Sequence, residues 1–224
     1  MQITDNLKND ISDAPSWFHD AINIKPSEKI LKDAKGNLSY SVWPSLSENK
    51  NLMIFIHGTG AHKKWWYPIA PQFVNYSNVI AVDLPGMGDS GFREKYSIKD
   101  FGQCIISIIE KEKSNMNIDN ISIIGHSLGG QVAGYVASEE KNLVSNLIMI
   151  DTFIRPPDWD PSQNEGGPLR MIKYYPDKTT ILNRFRLLPQ QECDNEWFVR
   201  YISEHSVRKT SEGWRWKFDD SMFN

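Results

Sequence analysis

The middle of the chain alternates short, continuously apolar runs with segments of helical periodicity, and this pattern limits the possible folds most. Strands are predicted at residues 52–56, 79–82, 121–124 and 147–150. Helices are predicted at residues 65–73, from Ser97 onward and at residues 128–139. Strands that are apolar on both faces need cover on both sides, which favours parallel pairing with right-handed crossovers. We therefore predict an α/β fold, a three-layer sandwich with a mainly parallel central sheet.

The two ends of the chain differ from this middle part. Residues 29–31 and 38–43 flank a Lys-Gly-Asn turn and predict an N-terminal β-hairpin. From Thr152 onward the chain carries half of its 12 prolines and shows no clear β run, so we expect helices and loops there. The predicted organisation is an arm at 1–28 with one short amphipathic turn, an α/β core at 29–151 and a helical cap segment at 152–224.

Composition excludes several classes of partner. The net charge of −3 provides no basic excess to neutralise the phosphates of a nucleic acid. The apolar runs are far shorter than the roughly 18 residues of a membrane span, and no secretory signal begins the chain. We therefore expect a cytoplasmic protein with no nucleic-acid or membrane partner. Cys104 and Cys193 lie far apart and are expected to be free thiols. No feature indicates an oligomeric state.

A five-residue motif points to chemistry. Gly125-His126-Ser127-Leu128-Gly129 directly follows a predicted strand and opens a predicted helix, which is the setting that a GxSxG nucleophile elbow requires. The turn is so sharp that positions 125 and 129 have no room for a side chain. The motif predicts that Ser127 presents its hydroxyl at the carboxyl edge of the sheet, above a helix N-terminus.

A second motif, His57-Gly58-Thr59-Gly60, ends the first central strand. Acyl transfer needs preorganised donors for an oxyanion, and the backbone amides of Thr59 and Leu128 are the predicted pair. His57 is expected to brace this loop rather than act as a base. His57 and His62 have no nearby carboxylate or cysteine that would complete a metal site, so we expect no metal and no cofactor.

A third motif, residues 83–90, follows the next strand. Its glycines and Pro85 indicate a tight loop. Asp83 and Asp89 are expected to accept hydrogen bonds from backbone donors there rather than to take part in catalysis.

Together these motifs resemble the α/β-hydrolase superfamily over about residues 29–151. The segments 204–208 and 213–219, with Ala61-His62 and Trp65-Trp66, are similar to those of a bacterial group of such hydrolases. The resemblance implies a cap over the active site after Asp151. A serine nucleophile implies a small-molecule substrate with an ester, thioester or similar acyl bond. Acyltransferase and C–C bond hydrolase chemistry on the same scaffold stay open, as does a binding module without catalysis. The tryptophans of the tail could line an acyl pocket: Trp159, Trp197, Trp214 and Trp216.

The family order is Ser, then Asp or Glu, then His, and two readings of it compete. In the first, the triad is Ser127, Asp151 and His205. After Ser127, Asp151 is the only acid at the end of a predicted strand, and His205 is the only histidine. In the second, His205 belongs to the cap, and the chain lacks two final strand-helix units of about 60 residues. We favour the second reading because His205 lies in a polar, helix-like stretch. The chain by itself would then be inactive or nearly so.

Overall fold

A computed structural model describes residues 11–154, 158, 173–187 and 190–223. In chain order the elements are α1 (Ser16–Asn23), β1 (Ser27–Asp33), β2 (Gly36–Trp43), β3 (Asn51–Ile56), β4 (Asn78–Val82), α2 (Ile98–Lys113), β5 (Asn120–His126), α3 (Leu128–Glu139), β6 (Asn146–Ile150), α4 (Lys178–Leu182), α5 (Glu196–His205), β7 (Val207–Thr210) and β8 (Gly213–Trp216). None of the described helices is long and apolar enough to cross a membrane.

Six strands form one sheet in the order β1-β2-β4-β3-β5-β6. The pairs β3-β4, β3-β5 and β5-β6 are parallel, whereas β1 and β2 form the predicted antiparallel hairpin at one edge. In the central register Ile54 lies between Ile80 and Ile123. The predicted α/β class with a mainly parallel sheet is confirmed.

Two apolar clusters cover the two faces of this sheet. On one face, Ile54 of β3 packs with the buried sides of α2 and α3. On the other, the neighbouring Phe55 packs with Phe18 of α1 and Tyr201 of α5. Successive side chains of a strand point to opposite faces, so a continuously apolar strand supplies both clusters. This arrangement gives the three layers that the sequence predicted.

Helix α2 begins where its cap residue predicts. The Ser97 hydroxyl accepts the backbone N–H of Asp100 at 3.1 Å and thereby satisfies one of the free donors of the first turn. Asp100 also places a negative charge near the positive end of the helix dipole.

The prediction of a helix at residues 65–73 is wrong. The structure has two short 3₁₀ turns there, Lys63–Trp65 and Ala70–Phe73. Pro68 and Pro71 have no backbone N–H and therefore cannot donate the hydrogen bonds of a continuous α-helix. The apolar residues of this stretch have helical spacing, but the backbone does not form the helix that this spacing predicts.

The expectation that the tail holds no strand is also wrong. Beyond α4 and α5, strands β7 and β8 form an antiparallel hairpin. The turn depends on Gly213, which has a φ of +132° and whose added Cβ would lie 2.6 Å from the carbonyl oxygen of Tyr175. Each strand has only four residues, and their charged side chains conceal the alternation that would reveal it.

The apolar core strands were predicted to be buried on both faces, but strand β6 is apolar and partly exposed. Leu147, Ile148 and Ile150 are 39%, 49% and 42% exposed. In the described part of the chain β6 is an edge strand of the sheet, opposite β1, and pairs with β5 alone. Apolar periodicity alone therefore identified the strand but not its position in the sheet.

Candidate active site

Ser127 lies at the turn between β5 and α3, and its backbone is strained. Its φ is +50° and its ψ is −118°. Only Ser127 and Asp151 have positive φ among the non-glycine residues that the structure describes. The Ser127 amide donates to the carbonyl oxygen of Ile150 at 3.0 Å, and this bond holds the turn against β6. Such strain costs about 1–3 kcal/mol and clusters at functional sites.

Glycine is required on both sides of this serine. A Cβ at Gly125 would lie 2.2 Å from the carbonyl oxygen of Gly129, and a Cβ at Gly129 would lie 2.4 Å from that of Ile56. Gly130 is equally confined, because an added Cβ would lie 1.9 Å from the Thr152 hydroxyl oxygen. The tight turn predicted from the motif is therefore present in the backbone.

The loop after β3 packs against the same turn. A Cβ at Gly58 would lie 3.3 Å from the Cβ of Ser127. Thr59 is the next residue, and Leu128 is the first residue of α3. Neither the Thr59 amide nor the Leu128 amide donates to an acceptor within the described residues. Two free N–H groups beside a serine hydroxyl are the groups that an oxyanion hole needs.

His57 braces this loop, as the sequence predicted. Its Nε2 accepts the backbone N–H of Leu84 at 3.1 Å, so the ring proton is on Nδ1, which donates to the carbonyl oxygen of Gly58 at 2.7 Å. Burial lowers the pKa of His57 and favours this neutral form, although Asp83 opposes the shift. Both ring nitrogens are thus occupied by structural hydrogen bonds.

A buried ion pair anchors the next part of the loop. The Nζ of Lys63 lies 3.2 Å from a carboxylate oxygen of Asp83, and both side chains are almost completely buried. Asp83 also accepts the backbone N–H groups of Lys63 at 2.6 Å and Asp89 at 2.9 Å. Asp83 therefore satisfies backbone donors as predicted. Within the part of the chain that the structure describes, no backbone N–H donates to the Asp89 carboxylate, which instead pairs with Lys217 Nζ at 2.7 Å.

His62 connects the loop to the tail. Its buried Nε2 lies 3.0 Å from the hydroxyl oxygen of Ser206, and that hydroxyl donates to the carbonyl oxygen of Ile202. Burial lowers the pKa of His62 well below its ordinary value, and nearby His57 lowers it further. Among the described residues, no group of three or more His, Cys, Asp and Glu side chains could hold a metal ion.

Two cavities flank the serine turn. One has a volume of about 480 Å³ and is lined by Ser127, by the loop at residues 58–61 and by aromatic side chains that include Trp65 and Trp216. The other, of about 740 Å³, is mostly apolar and is lined by residues of α2, α3 and β6. Thr59 lines both cavities. Of the two, only the cavity of about 480 Å³ is lined by Ser127 itself.

The structure does not bring Asp151 and His205 together with Ser127 by any hydrogen bond that it describes. Asp151 is exposed at the end of β6, with a φ of +45°. His205 is the last residue of α5, where its Nδ1 lies 2.8 Å from the carbonyl oxygen of Tyr201. Burial lowers the pKa of His205. The acid and base roles of these two residues stay predictions.

The cavity of about 480 Å³ that Ser127 lines is called the serine cavity. Several of its residues were not singled out from the sequence. Arg184 and Arg186 line it, and no motif or periodicity marks them. Of the tail tryptophans, Trp216 lines the cavity and Trp197 packs on Phe18 with ring centroids 4.6 Å apart. Trp214 packs in the small cluster around α4, and Trp159 lies outside the described residues.

Known proteins are similar to part of this sequence. A pimeloyl-(acyl-carrier protein) methyl ester esterase from Pseudoalteromonas atlantica is 31% identical over 128 residues, which are 54% of this chain and 46% of that protein. A soluble epoxide hydrolase from a Corynebacterium species is 30% identical over 104 residues, which are 44% of this chain and 34% of that protein. The chain therefore aligns with about half or less of the length of these curated relatives.

Solved structures agree on the fold. The thioesterase domain from the curacin biosynthetic pathway superposes with a TM-score of 0.68 at 22% identity, over 88% of this chain and 73% of that one. A putative hydrolase from Rickettsia typhi superposes with a TM-score of 0.70 at 21% identity, over 88% of this chain and 74% of that one. A sequence model of the alpha/beta hydrolase fold matches residues 51–190, more than half of the chain. The chain belongs to the alpha/beta hydrolase fold family.

Proposed function

We propose that the chain carries a serine hydrolase site that cleaves an ester, thioester or similar acyl bond of a small molecule, with Ser127 as nucleophile. The observation that carries the proposal is the strained backbone of Ser127 at the β5-α3 turn. A serine that only fills space gains nothing from positive φ, whereas a nucleophile gains an exposed hydroxyl next to a helix N-terminus. The esterase name of the Pseudoalteromonas relative agrees with this chemistry.

The chemistry proceeds in two steps. The Ser127 oxygen attacks the acyl carbon, and the amides of Thr59 and Leu128 donate to the oxygen that becomes negative. The hydroxyl proton passes to a base and then to the departing alcohol or thiol, which leaves an acyl-serine. Water then attacks the acyl-serine, releases the acid and restores the hydroxyl.

Two readings of the residue order stay open for the base and the acid. In the first, His205 is the base and Asp151 is the acid, whereas in the favoured second reading His205 belongs to the cap. The Nδ1 of His205 lies beside the Tyr201 carbonyl oxygen, which leaves Nε2 as the nitrogen for proton transfer. In the first reading, His205→Ala should lower turnover by several orders of magnitude. If the variant keeps full turnover, His205 belongs to the cap alone.

Hydrolysis of 4-nitrophenyl butyrate tests the proposal. The native chain should release 4-nitrophenol, and Ser127→Ala should abolish the enzymatic rate. Ser138→Ala is the matched control, because Ser138 lies on the same helix with an exposed side chain. Equal rates for the native chain and Ser127→Ala would exclude Ser127 as the nucleophile.

One observation favours a second candidate, a binding module without catalysis. No base is hydrogen-bonded to the Ser127 hydroxyl within the described residues. In this case small esters would stabilise the chain against thermal unfolding, and no alcohol would be released. A burst of 4-nitrophenol equal to the protein concentration would exclude the second candidate.

A further inference from the structure

Among the described residues, the charged side chains that line the serine cavity are all cationic. Arg184 and Arg186 follow α4 and line the same cavity of about 480 Å³ as Ser127. No Asp or Glu of the described residues lines it. A cavity that contains cationic groups and no anionic group attracts ligands of negative charge.

Neither arginine is neutralised by the protein as far as the structure describes it. Arg184 has no carboxylate partner there, and the Nη1 of Arg186 donates only to carbonyl oxygens, those of Asn183 at 3.0 Å and Phe185 at 2.6 Å. Arg93 and Arg215 show the contrast, since each pairs with an aspartate, at 2.8 Å and 3.1 Å. The carbonyl contacts order the Arg186 side chain but leave its charge available.

We propose that the substrate of the Ser127 site carries an anionic oxygen group, a carboxylate or a phosphate, and that Arg184 and Arg186 bind this group. The inference rests on the proposed function for its reaction, but the anion site itself can be measured by binding alone. Guanidinium groups hold carboxylate and phosphate oxygens by charge-assisted hydrogen bonds. The scissile acyl bond then lies at Ser127, and the anionic group lies elsewhere on the same molecule.

Two isomeric esters test the proposal without assuming which end of the substrate is charged. Monomethyl glutarate carries its carboxylate on the acyl side, and 4-acetoxybutanoate carries it on the alcohol side. Their primary amides are neutral controls of the same size, and phosphonate analogues replace the carboxylate. Dissociation constants are measured by NMR titration on Ser127→Ala, which should prevent hydrolysis, and turnover is measured on the native chain.

At least one anionic isomer should bind roughly tenfold to a hundredfold more tightly than its amide. This preference should disappear in Arg184→Gln/Arg186→Gln and persist in Arg184→Lys/Arg186→Lys, which keeps the charge. Lys32→Gln/Lys113→Gln removes two exposed charges that do not line the cavity and should keep the full preference. Comparison of the carboxylates with the phosphonates shows which anion the site prefers.

The proposal is overturned if neither anion binds more tightly than its amide, or if the preference survives Arg184→Gln/Arg186→Gln. Failure of the proposed function gives a different result. In that case the native chain hydrolyses none of the esters, but the arginine-dependent preference for anions remains. Hydrolysis of charged and neutral esters with equal kcat/KM would leave the hydrolase and remove the anion site.

Discussion

A Cβ added at Gly129 would lie 2.4 Å from the carbonyl oxygen of Ile56, so the first turn of α3 rests directly on the end of β3. This contact sets the distance between the turn that carries Ser127 and the loop that carries Thr59. The carbonyl oxygen of Ile56 belongs to the backbone, and a Cβ at position 129 would be fixed to the backbone. No side-chain rotation can therefore relieve the clash between these two atoms. The geometry of the candidate site therefore requires a residue without a Cβ at position 129.

Gly129→Ala should destabilise the chain by about 2–3 kcal/mol, because the helix or the strand must shift. Gly134→Ala on the same helix is the matched control, since its new Cβ would lie 3.6 Å from the Met149 methyl group, an ordinary contact. That control should be stabilised by about 0.5–1 kcal/mol through the helix preference of alanine. Urea unfolding of both variants measures the difference. Equal stabilities would show that α3 is not confined as described.

Asp83→Asn should cost about 3 kcal/mol of unfolding free energy, because it leaves the buried Lys63 charge with weaker partners. Burial by itself lowers the pKa of Lys63, but Asp83, Glu28 and Asp89 together raise the pKa above its ordinary value. Asp119→Asn is the comparison, since its pair with Lys50 is exposed, and it should change stability by less than about 0.5 kcal/mol. If both substitutions cost the same, the buried pair is not an anchor of the loop.

The stability of the chain should fall as the pH drops from 6.5 to 5. Burial lowers the pKa of His57 and His62, so in this window the unfolded chain binds protons that the folded chain does not. Each such proton contributes up to about 1.4 kcal/mol per pH unit. The loss should be smaller in His62→Gln. Denaturant titrations at several pH values give the two slopes, and identical slopes would contradict the neutral, buried state of His62.

Cys104 should react with iodoacetamide more slowly than Cys193 at pH 8. Burial raises the pKa of the Cys104 thiol to about 11, which leaves little of the reactive thiolate, whereas Cys193 is only partly buried. Mass spectrometry of the alkylated peptides against time gives both rates in one sample. Modification of Cys104 at the rate of Cys193 would show that α2 opens far more readily than its packing indicates.

The parts of the fold that follow from local chemistry could be predicted from the sequence. The Ser97 cap, the Gly36 turn and the glycines around Ser127 each act within a few residues, so their spacing is sufficient to recognise them. The brace formed by His57 was also predicted, because it depends on the position of the histidine before a glycine turn.

The parts that depend on tertiary contact could not be predicted. The exposure of Leu147 follows from the edge position of β6, which apolar periodicity does not encode. The hairpin at Gly213 is held by Tyr175, a residue far away in the sequence. Arg184 and Arg186 line the cavity at Ser127 only because the tail folds against the serine turn. Single charged residues in a loop give no signal of their own.

Reaction with a fluorophosphonate probe, followed by peptide mapping, tests whether Ser127 is an activated nucleophile. We expect a single phosphonylated peptide that contains Ser127, full labelling in Ser138→Ala and none in Ser127→Ala. Heat-unfolded protein should not be labelled, because the reactivity depends on the strained turn and the two free amides. A correctly folded chain in which Ser127 stays unmodified, or in which another serine reacts equally, would show that Ser127 is not an activated nucleophile.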